Sequence, residues 1–140
     1  MFPSKPKLYI GCSLTYATDE FKQSIIDLKQ SLKDDFEILE FLGLIDGTSK
    51  QVFDHDTKCV LGSDFFVAIC DYPSLGLGVE LGIAFQAGKK TLVLSRESSK
   101  VSRMVLGMES QNVKFDHYQN NDDLPQIIRC YFQQISEPQS

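Results

Sequence analysis

The sequence predicts one α/β domain with three layers, in which helices cover both faces of a parallel sheet of about five strands. Short apolar runs alternate along the chain with longer amphipathic segments, and three of these runs are continuously apolar, as in strands buried on both faces. Strands that alternate with helices imply right-handed crossovers and a parallel sheet, so the simplest arrangement is a doubly wound domain. The 140 residues suit a single domain over 1–140, with a short polar tail after about residue 135.

The apolar runs and the helical periodicity define nine elements. The predicted strands are 8–12, 37–41, 65–70, 91–94 and 112–115. The predicted helices are 19–32, 52–61, 77–87 and 124–135. The first helix is the clearest, because its apolar residues recur at three- and four-residue intervals at Phe21, Ile25, Leu28 and Leu32. This order of elements is that of flavodoxin-like and Rossmann-like domains.

The charge balance limits the ligands that the protein could bind. Lys and Arg number 14 against 19 Asp and Glu, which gives a net charge of −5 and argues against nucleic acid or membrane as a partner. The segment 89–103 differs, because it contains five basic residues and one acidic residue and carries +4, which leaves −9 for the remaining chain. A single phosphate held within this locally basic region is therefore compatible with the composition.

Cysteine usage and hydropathy give expectations about cofactors and compartment. The four cysteines have no metal-ligand spacing and only two histidines could join them, so we expect free thiols, no metal and no cofactor. The sequence shows neither a signal-peptide pattern nor an apolar run long enough for a membrane span. We therefore expect a cytoplasmic protein without membrane contact.

The predicted sheet indicates where a ligand would bind. In doubly wound sheets, ligands lie beyond the carboxyl ends of the strands, where the strand order reverses. The residues to inspect are those after the first and third strands, at 11–16 and 71–80. The polar loop 43–50 could close over this site or could be a plain connection.

The most informative stretch is 71–82, DYPSLGLGVELG. Ser74 and Gly76 precede or begin a helix whose free amides would form an anion cradle, although turns of this kind often use glycine and serine without binding anything. Glu80 lies early in that helix, at the rim of the predicted cleft. We expect the helix dipole to hold Glu80 ionised, as a carboxylate nucleophile needs, although glutamate is also simply favourable near a helix N-terminus.

A second carboxylate would have to protonate a leaving group. Asp54 and Asp56 flank His55 in the helix before the third strand, and either could face Glu80. Glycosyl-transferring enzymes use such a carboxylate pair, although acidic residues near helix starts are also common caps. Tyr9 lies in the apolar first strand, so its hydroxyl would need a partner, which could be a carboxylate or water.

Together these motifs resemble the nucleoside 2-deoxyribosyltransferase superfamily, and most closely its branch of 2′-deoxynucleoside 5′-phosphate N-hydrolases. The resemblance runs from Leu8 to about Phe132. Its anchors are Leu8-Tyr9, Gly11-Cys12-Ser13, His55-Asp56, the segment 73–82 and the segment 102–107.

The resemblance implies a catalytic role for three residues. Glu80 would attack the anomeric carbon and form a glycosyl-enzyme intermediate, while Asp56 would protonate the departing base and then activate water. Tyr9 would hydrogen-bond Glu80 and orient it. The family's sites are completed across a homodimer, so a homodimer is expected here too.

The resemblance also implies a site for the 5′-phosphate. Transferases of the superfamily usually carry an acidic residue six positions before the nucleophile, where this sequence has Ser74, and a hydroxyl suits a phosphate better. Gly11, Ser13 and Gly76 would complete the cradle, with Ser102 reaching it from the neighbouring subunit.

Two departures from the hydrolase pattern leave alternatives open. Thr15 stands where those hydrolases have an arginine, and Phe41 and Leu42 stand where they have a histidine near the base. The main prediction is an N-glycosidase of (deoxy)nucleoside 5′-monophosphates. The alternatives are a 2-deoxyribosyltransferase, a nucleotide-binding module without turnover and, on fold alone, a flavodoxin-like cofactor binder.

Overall fold

The structure is a computed structural model that describes residues 5–42 and 47–136. Its strands are β1 (Lys7–Cys12), β2 (Glu37–Leu39), β3 (Phe65–Ile69), β4 (Lys90–Ser95) and β5 (Val113–His117). Its helices are α1 (Asp19–Leu32), α2 (Ser49–Gly62), α3 (Leu75–Gln86), α4 (Arg103–Leu106) and α5 (Leu124–Ser136), the last preceded by a 3-10 turn, Asn121–Asp123. Residues 43–46 of the polar loop considered above lie outside the described residues, as does the end of the tail.

The five strands form one parallel sheet in the order β2-β1-β3-β4-β5. After β1 the chain moves outward to β2, then crosses back to β3 on the other side of β1. The strand order therefore reverses between β1 and β3, which pair from Leu8 with Phe65 to Cys12 with Ile69. This arrangement confirms the doubly wound fold and places the expected crevice at the carboxyl ends of these two strands.

Alternation along the strands builds two cores. Alternate residues such as Leu8 and Val67 face α1 and α5, whereas Tyr9 and Phe66 face α2 and α3. In the first core, Phe65 stacks on Phe132 with ring centroids 4.3 Å apart. Because both faces are covered, β3 is buried along its whole length, which explains why its sequence is continuously apolar.

Two helices begin earlier than predicted because of their caps, and one strand ends earlier than predicted. Thr48 forms a capping box with Gln51, so α2 begins at Ser49 and not at residue 52. Ser74 caps α3, which begins at Leu75 and not at residue 77. The edge strand β2 pairs with β1 through three residues and ends at Leu39, two residues earlier than expected.

The one-turn helix α4 was not expected from periodicity, because four residues carry too little pattern to show it.

Among the described residues, no helix combines the length and the apolar character that a bilayer crossing needs.

Candidate active site

The candidate site begins with a tyrosine inside the sheet. Tyr9 is buried in β1, and its ring lies beside Phe66 with centroids 5.7 Å apart. Its hydroxyl donates a hydrogen bond to Oε2 of Glu80 on α3. The structure therefore supplies a carboxylate as the partner that a buried tyrosine requires.

Burial controls the protonation of Glu80. Removal from water raises the pKa of its carboxyl from 4.5 to about 7, and the negative charge of Asp56 adds to the rise. The hydrogen bond from Tyr9 and the positive charge of Lys29 act in the opposite direction. This result corrects the expectation that the helix dipole holds Glu80 ionised. Glu80 is six residues beyond the Ser74 cap, past the first turn that bears the free amides.

The structure distinguishes the two aspartates of α2. Asp56 is partly buried, accepts a hydrogen bond from the Leu42 amide at 3.0 Å, and raises the pKa of both Tyr9 and Glu80 through its charge. Asp54 is exposed and forms an ion pair with Lys50, with Nζ and Oδ1 2.7 Å apart. Asp56 is therefore the aspartate on the side of Glu80.

The glycine turn is tied to the loop after β1. Ser13 is buried, and its Oγ donates to the Pro73 carbonyl at 3.0 Å. Ser74 Oγ accepts from the Leu77 amide at 3.1 Å, so this helix cap does not use its hydroxyl proton. Gly76 is exposed, and a Cβ built there would find only Ser74 Oγ, at 3.8 Å. The turn is therefore open to an incoming group.

Close packing explains why residue 11 is a glycine. A Cβ at this position would lie 2.8 Å from Leu77 Cδ1 and 3.0 Å from a ring carbon of Phe66. Glycine therefore lets the start of α3 approach β1 closely, which brings the glycine turn next to the loop that holds Ser13.

Ser102 begins α4 and is exposed, and its Oγ accepts from the Met104 amide at 3.2 Å. This hydrogen bond does not connect it to Ser13 or Ser74. Its expected approach to the phosphate across a subunit interface stays a prediction.

Sequence reasoning missed Lys29. Its side chain is buried on α1, with Nζ 2.9 Å from Glu40 Oε2 and 4.1 Å from the centre of the Phe41 ring. The sequence did indicate that Lys29 is buried, because it lies four residues after Ile25 and one after Leu28, on the apolar face of the helix.

Asp71 lies two residues after the end of β3, and the sequence analysis gave it no role. Its carboxylate accepts hydrogen bonds from the Arg96 amide at 2.7 Å, from the Ser99 hydroxyl at 3.2 Å and from the Tyr118 hydroxyl. These contacts connect the segments that follow β3, β4 and β5. Asp71 therefore stabilises the carboxyl ends of these strands, next to the glycine turn.

Neither of two surface cavities formed by the described residues includes Glu80 or Asp56 in its lining. One, of about 390 Å³, lies between α1 and residues 40–41 and is lined in part by Lys29. The other, of about 640 Å³, is an open acidic depression beside β5 and the start of α5. Among the described residues, no group of three or more His, Cys, Asp or Glu side chains could hold a metal ion.

Comparison with known proteins relates the chain to nucleotide N-hydrolases by sequence. No family model matches it. It is 34% identical over 92 residues to a putative 2′-deoxynucleoside 5′-phosphate N-hydrolase 1 from Trichoplax adhaerens, covering 64% of each chain. It is 36% identical over 85 residues to a 5-hydroxymethyl-dUMP N-hydrolase from Tetraodon nigroviridis, covering 58% of each chain. The matches thus span somewhat less than two thirds of these relatives' lengths.

Comparison of structures concerns the fold. A CMP N-glycosidase from Clostridium botulinum superposes with a TM-score of 0.74 at 22% identity, covering 89% of this chain and 98% of the other. A 2-deoxyribosyltransferase from Bacillus psychrosaccharolyticus gives a TM-score of 0.57 at 18% identity, covering 85% and 90%. The chain is therefore related in sequence to 2′-deoxynucleoside 5′-phosphate N-hydrolases and has the fold of nucleoside 2-deoxyribosyltransferase-like proteins.

Proposed function

We propose that the protein is an N-glycosidase that hydrolyses (deoxy)nucleoside 5′-monophosphates to the free base and (deoxy)ribose 5-phosphate. The observation that carries this proposal is the group formed by Tyr9, Glu80 and Asp56 beside an open glycine turn. Two carboxylates with different surroundings, next to a place for an anion, suit glycosyl transfer better than simple nucleotide binding.

In the first step, a carboxylate oxygen of ionised Glu80 attacks the anomeric carbon as the bond to the base breaks. Asp56 gives its proton to the departing base, so the base leaves neutral and a glycosyl ester of Glu80 remains. The Tyr9 hydroxyl holds Oε2, which leaves Oε1 as the attacking oxygen.

In the second step, water attacks the same carbon from the side that the base has left. Asp56, now ionised, takes a proton from the water while the ester bond to Glu80 breaks. The product is the free sugar phosphate with retained anomeric configuration, and both carboxyl groups return to their starting states.

The 5′-phosphate would bind at the glycine turn. The Ser74 hydroxyl proton is available to a phosphate oxygen because its Oγ accepts, and does not donate, within the helix cap. Amides in the first turn of α3, including that of Gly76, add hydrogen-bond donors and the positive end of the helix dipole. Ser13, which donates to the Pro73 carbonyl, and Gly11, which lets α3 approach β1, would hold the turn in place for the phosphate.

We propose further that the protein is a homodimer that pairs through α3. The outer face of this helix shows Leu75, 93% exposed, and Val79 beside Gly78 and Gly82, where a built Cβ would meet nothing within 4 Å. Such a smooth apolar stripe suits close helix contact with a second copy. In that dimer, Ser102 of the partner subunit would complete the phosphate site.

Dimer formation is tested by sedimentation of the wild type and of Leu75→Glu. We expect a wild-type dimer and a folded, monomeric variant with weaker binding of monophosphates. A monomeric wild type with full activity would contradict the dimer.

The free cysteines bear on the cellular compartment in which the protein works. The four cysteines are all free, and Cys70 is buried. Free thiols persist in a reducing environment, so we propose that the protein works in the cytoplasm.

The decisive experiment measures release of free base from a panel of nucleoside 5′-monophosphates and the matching nucleosides. We expect release from monophosphates, with a loss of more than about 100-fold in Glu80→Gln and Asp56→Asn. Asp54→Asn is the matched control and should keep its activity, since Asp54 pairs with Lys50 at the surface. Absence of base release from every monophosphate by folded protein would overturn the proposal.

The same glycosyl ester could pass its sugar to a second base, which would make the protein a 2-deoxyribosyltransferase. Incubating a deoxynucleoside with a different free base separates the two reactions. Preference for the unphosphorylated substrate together with an exchanged nucleoside as product would replace the hydrolase proposal.

A further inference from the structure

Lys29 is a buried cation that the mechanism above does not use. It is 7% exposed, although α1 passes close to solvent and its neighbour Lys33 is exposed. Burying an ammonium group costs free energy unless partners compensate for its lost hydration. Its partners are the Glu40 carboxylate at 2.9 Å and the face of the Phe41 ring at 4.1 Å.

Both partners belong to the segment 40–42, which follows β2 and lies against the candidate site. The next residue, Leu42, donates its amide hydrogen to Asp56 Oδ1 at 3.0 Å. The Glu40 carbonyl lies 2.7 Å from Nε2 of His55 and 3.6 Å from Sγ of Cys59, so two backbone groups of this segment contact α2. Lys29 therefore fixes, from α1, the short segment that hydrogen-bonds the proposed general acid.

We propose that Lys29 is a positioning residue of the active site, which holds the segment 40–42 against Asp56 and presents a fixed positive charge to Glu80. This inference rests on the proposed function in taking Glu80 and Asp56 as the reacting carboxylates. It assigns Lys29 no contact with the substrate.

The electrostatic surroundings of Glu80 come from three elements. From β1, Tyr9 donates a hydrogen bond that lowers the pKa of Glu80, and the Cys12 thiol is also within reach of the Glu80 charge. From α2, the Asp56 charge raises it, with the Cys59 thiol also nearby. From α1, Lys29 lowers it, and thereby offsets part of the effect of burial. A nucleophile must be ionised, so loss of this cation would confine activity to higher pH.

The test compares Lys29→Met, Lys29→Arg and Lys33→Met. Methionine keeps the length and apolar packing of the lysine stem, and it leaves the Glu40 carboxylate, 57% exposed, in contact with water. Each variant is examined by the pH profile of base release and by NMR titration of the Glu80 carboxyl carbon in the unliganded protein.

We expect Lys29→Met to shift the acid limb of the pH profile and the Glu80 titration midpoint to higher pH by about one unit. The rate of base release at pH 6 should fall about tenfold. Lys29→Arg should keep the acid limb and the Glu80 midpoint at their wild-type values, and Lys33→Met should change neither of them. If Lys29→Met does not fold, Lys29→Gln carries the same expectation.

A variant that loses thermal stability while its titration midpoint stays in place would show that Lys29 is only structural, and would overturn the inference. If the wild type releases no base, the proposed function fails, whereas the NMR titration still decides whether Lys29 acts on Glu80.

Discussion

Replacing Glu80 with glutamine should stabilise the protein at pH 8 while removing its activity. Burial raises the pKa of Glu80 from 4.5 to about 7, so the folded protein favours the protonated carboxyl more than the unfolded chain does. At about 1.4 kcal/mol for each pKa unit, keeping this group ionised in the folded state costs about 3 kcal/mol. Glutamine keeps the shape of the side chain and an oxygen to accept from Tyr9, but it never ionises.

The gain in stability depends on pH in a definite direction. Well below pH 4.5 the carboxyl is protonated in both states, so ionisation costs the wild type nothing. Between pH 4.5 and about 7, the folded protein binds more protons than the unfolded chain, and its stability falls as the pH rises. Above about pH 7 the cost is complete. We therefore expect Glu80→Gln to gain about 3 kcal/mol at pH 8 and less than about 1 kcal/mol at pH 5.

Urea unfolding of the wild type and the variant at pH 5 and pH 8 measures this difference, and thermal unfolding at pH 8 should show a midpoint higher by roughly 10 °C. Asp54→Asn removes an exposed carboxylate of α2 and should change stability by no more than about 0.5 kcal/mol at either pH. An equal effect of Glu80→Gln at both pH values, or no stabilisation at pH 8, would refute the reasoning from burial.

Three further predictions concern packing, the sheet edge and the thiols. Gly11→Ala places a Cβ 2.8 Å from a side-chain carbon of α3 and should lower the free energy of unfolding by about 1–3 kcal/mol in urea. Tyr118→Phe removes a hydrogen bond to Asp71 and should cost about 1–2 kcal/mol, whereas no loss would show that water replaces the hydroxyl. With a disulfide reagent at pH 8, the exposed Cys130 should react at least about tenfold faster than Cys70, whose burial raises its pKa to about 12.

The fold was predictable because each element carries a pattern that its burial requires. A strand such as β3 is covered on both faces, so its residues are all apolar, whereas α1 shows a single apolar stripe. The end of β2 was not predictable, since Phe41 continues the apolar pattern but bends away to pack against Lys29. Residue types report burial, and they do not report where backbone pairing stops.

For the candidate site, the sequence indicated the contact between Tyr9 and Glu80, but it did not indicate the electrostatics of Glu80. Asp56 could have been preferred to Asp54 from the sequence, because Asp56 lies four residues before the buried Val60 on the same helix face. The raised pKa of Glu80 could not, because it depends on how closely Tyr9 and α2 pack around the carboxyl. Lys29 was missed although its position on the apolar face of α1 is visible in the sequence, because a lysine in an apolar stripe ordinarily extends to water.

The raised pKa of Glu80 bears on the proposed reaction, in which this carboxylate must be ionised. The Asp56 charge adds to the effect of burial, so the protonated form of Glu80 persists to about pH 7. The first step of the proposed reaction needs Glu80 ionised, with the transferred proton coming from Asp56. The Tyr9 hydrogen bond and the Lys29 charge both stabilise the ionised form of Glu80, which this step requires. A carboxylate that ionises near neutral pH is also more basic than an exposed one, and hence a stronger nucleophile. In the proposed reaction, the same burial that weakens the fold would make Glu80 a stronger nucleophile, and Tyr9 and Lys29 would oppose its protonation near pH 7.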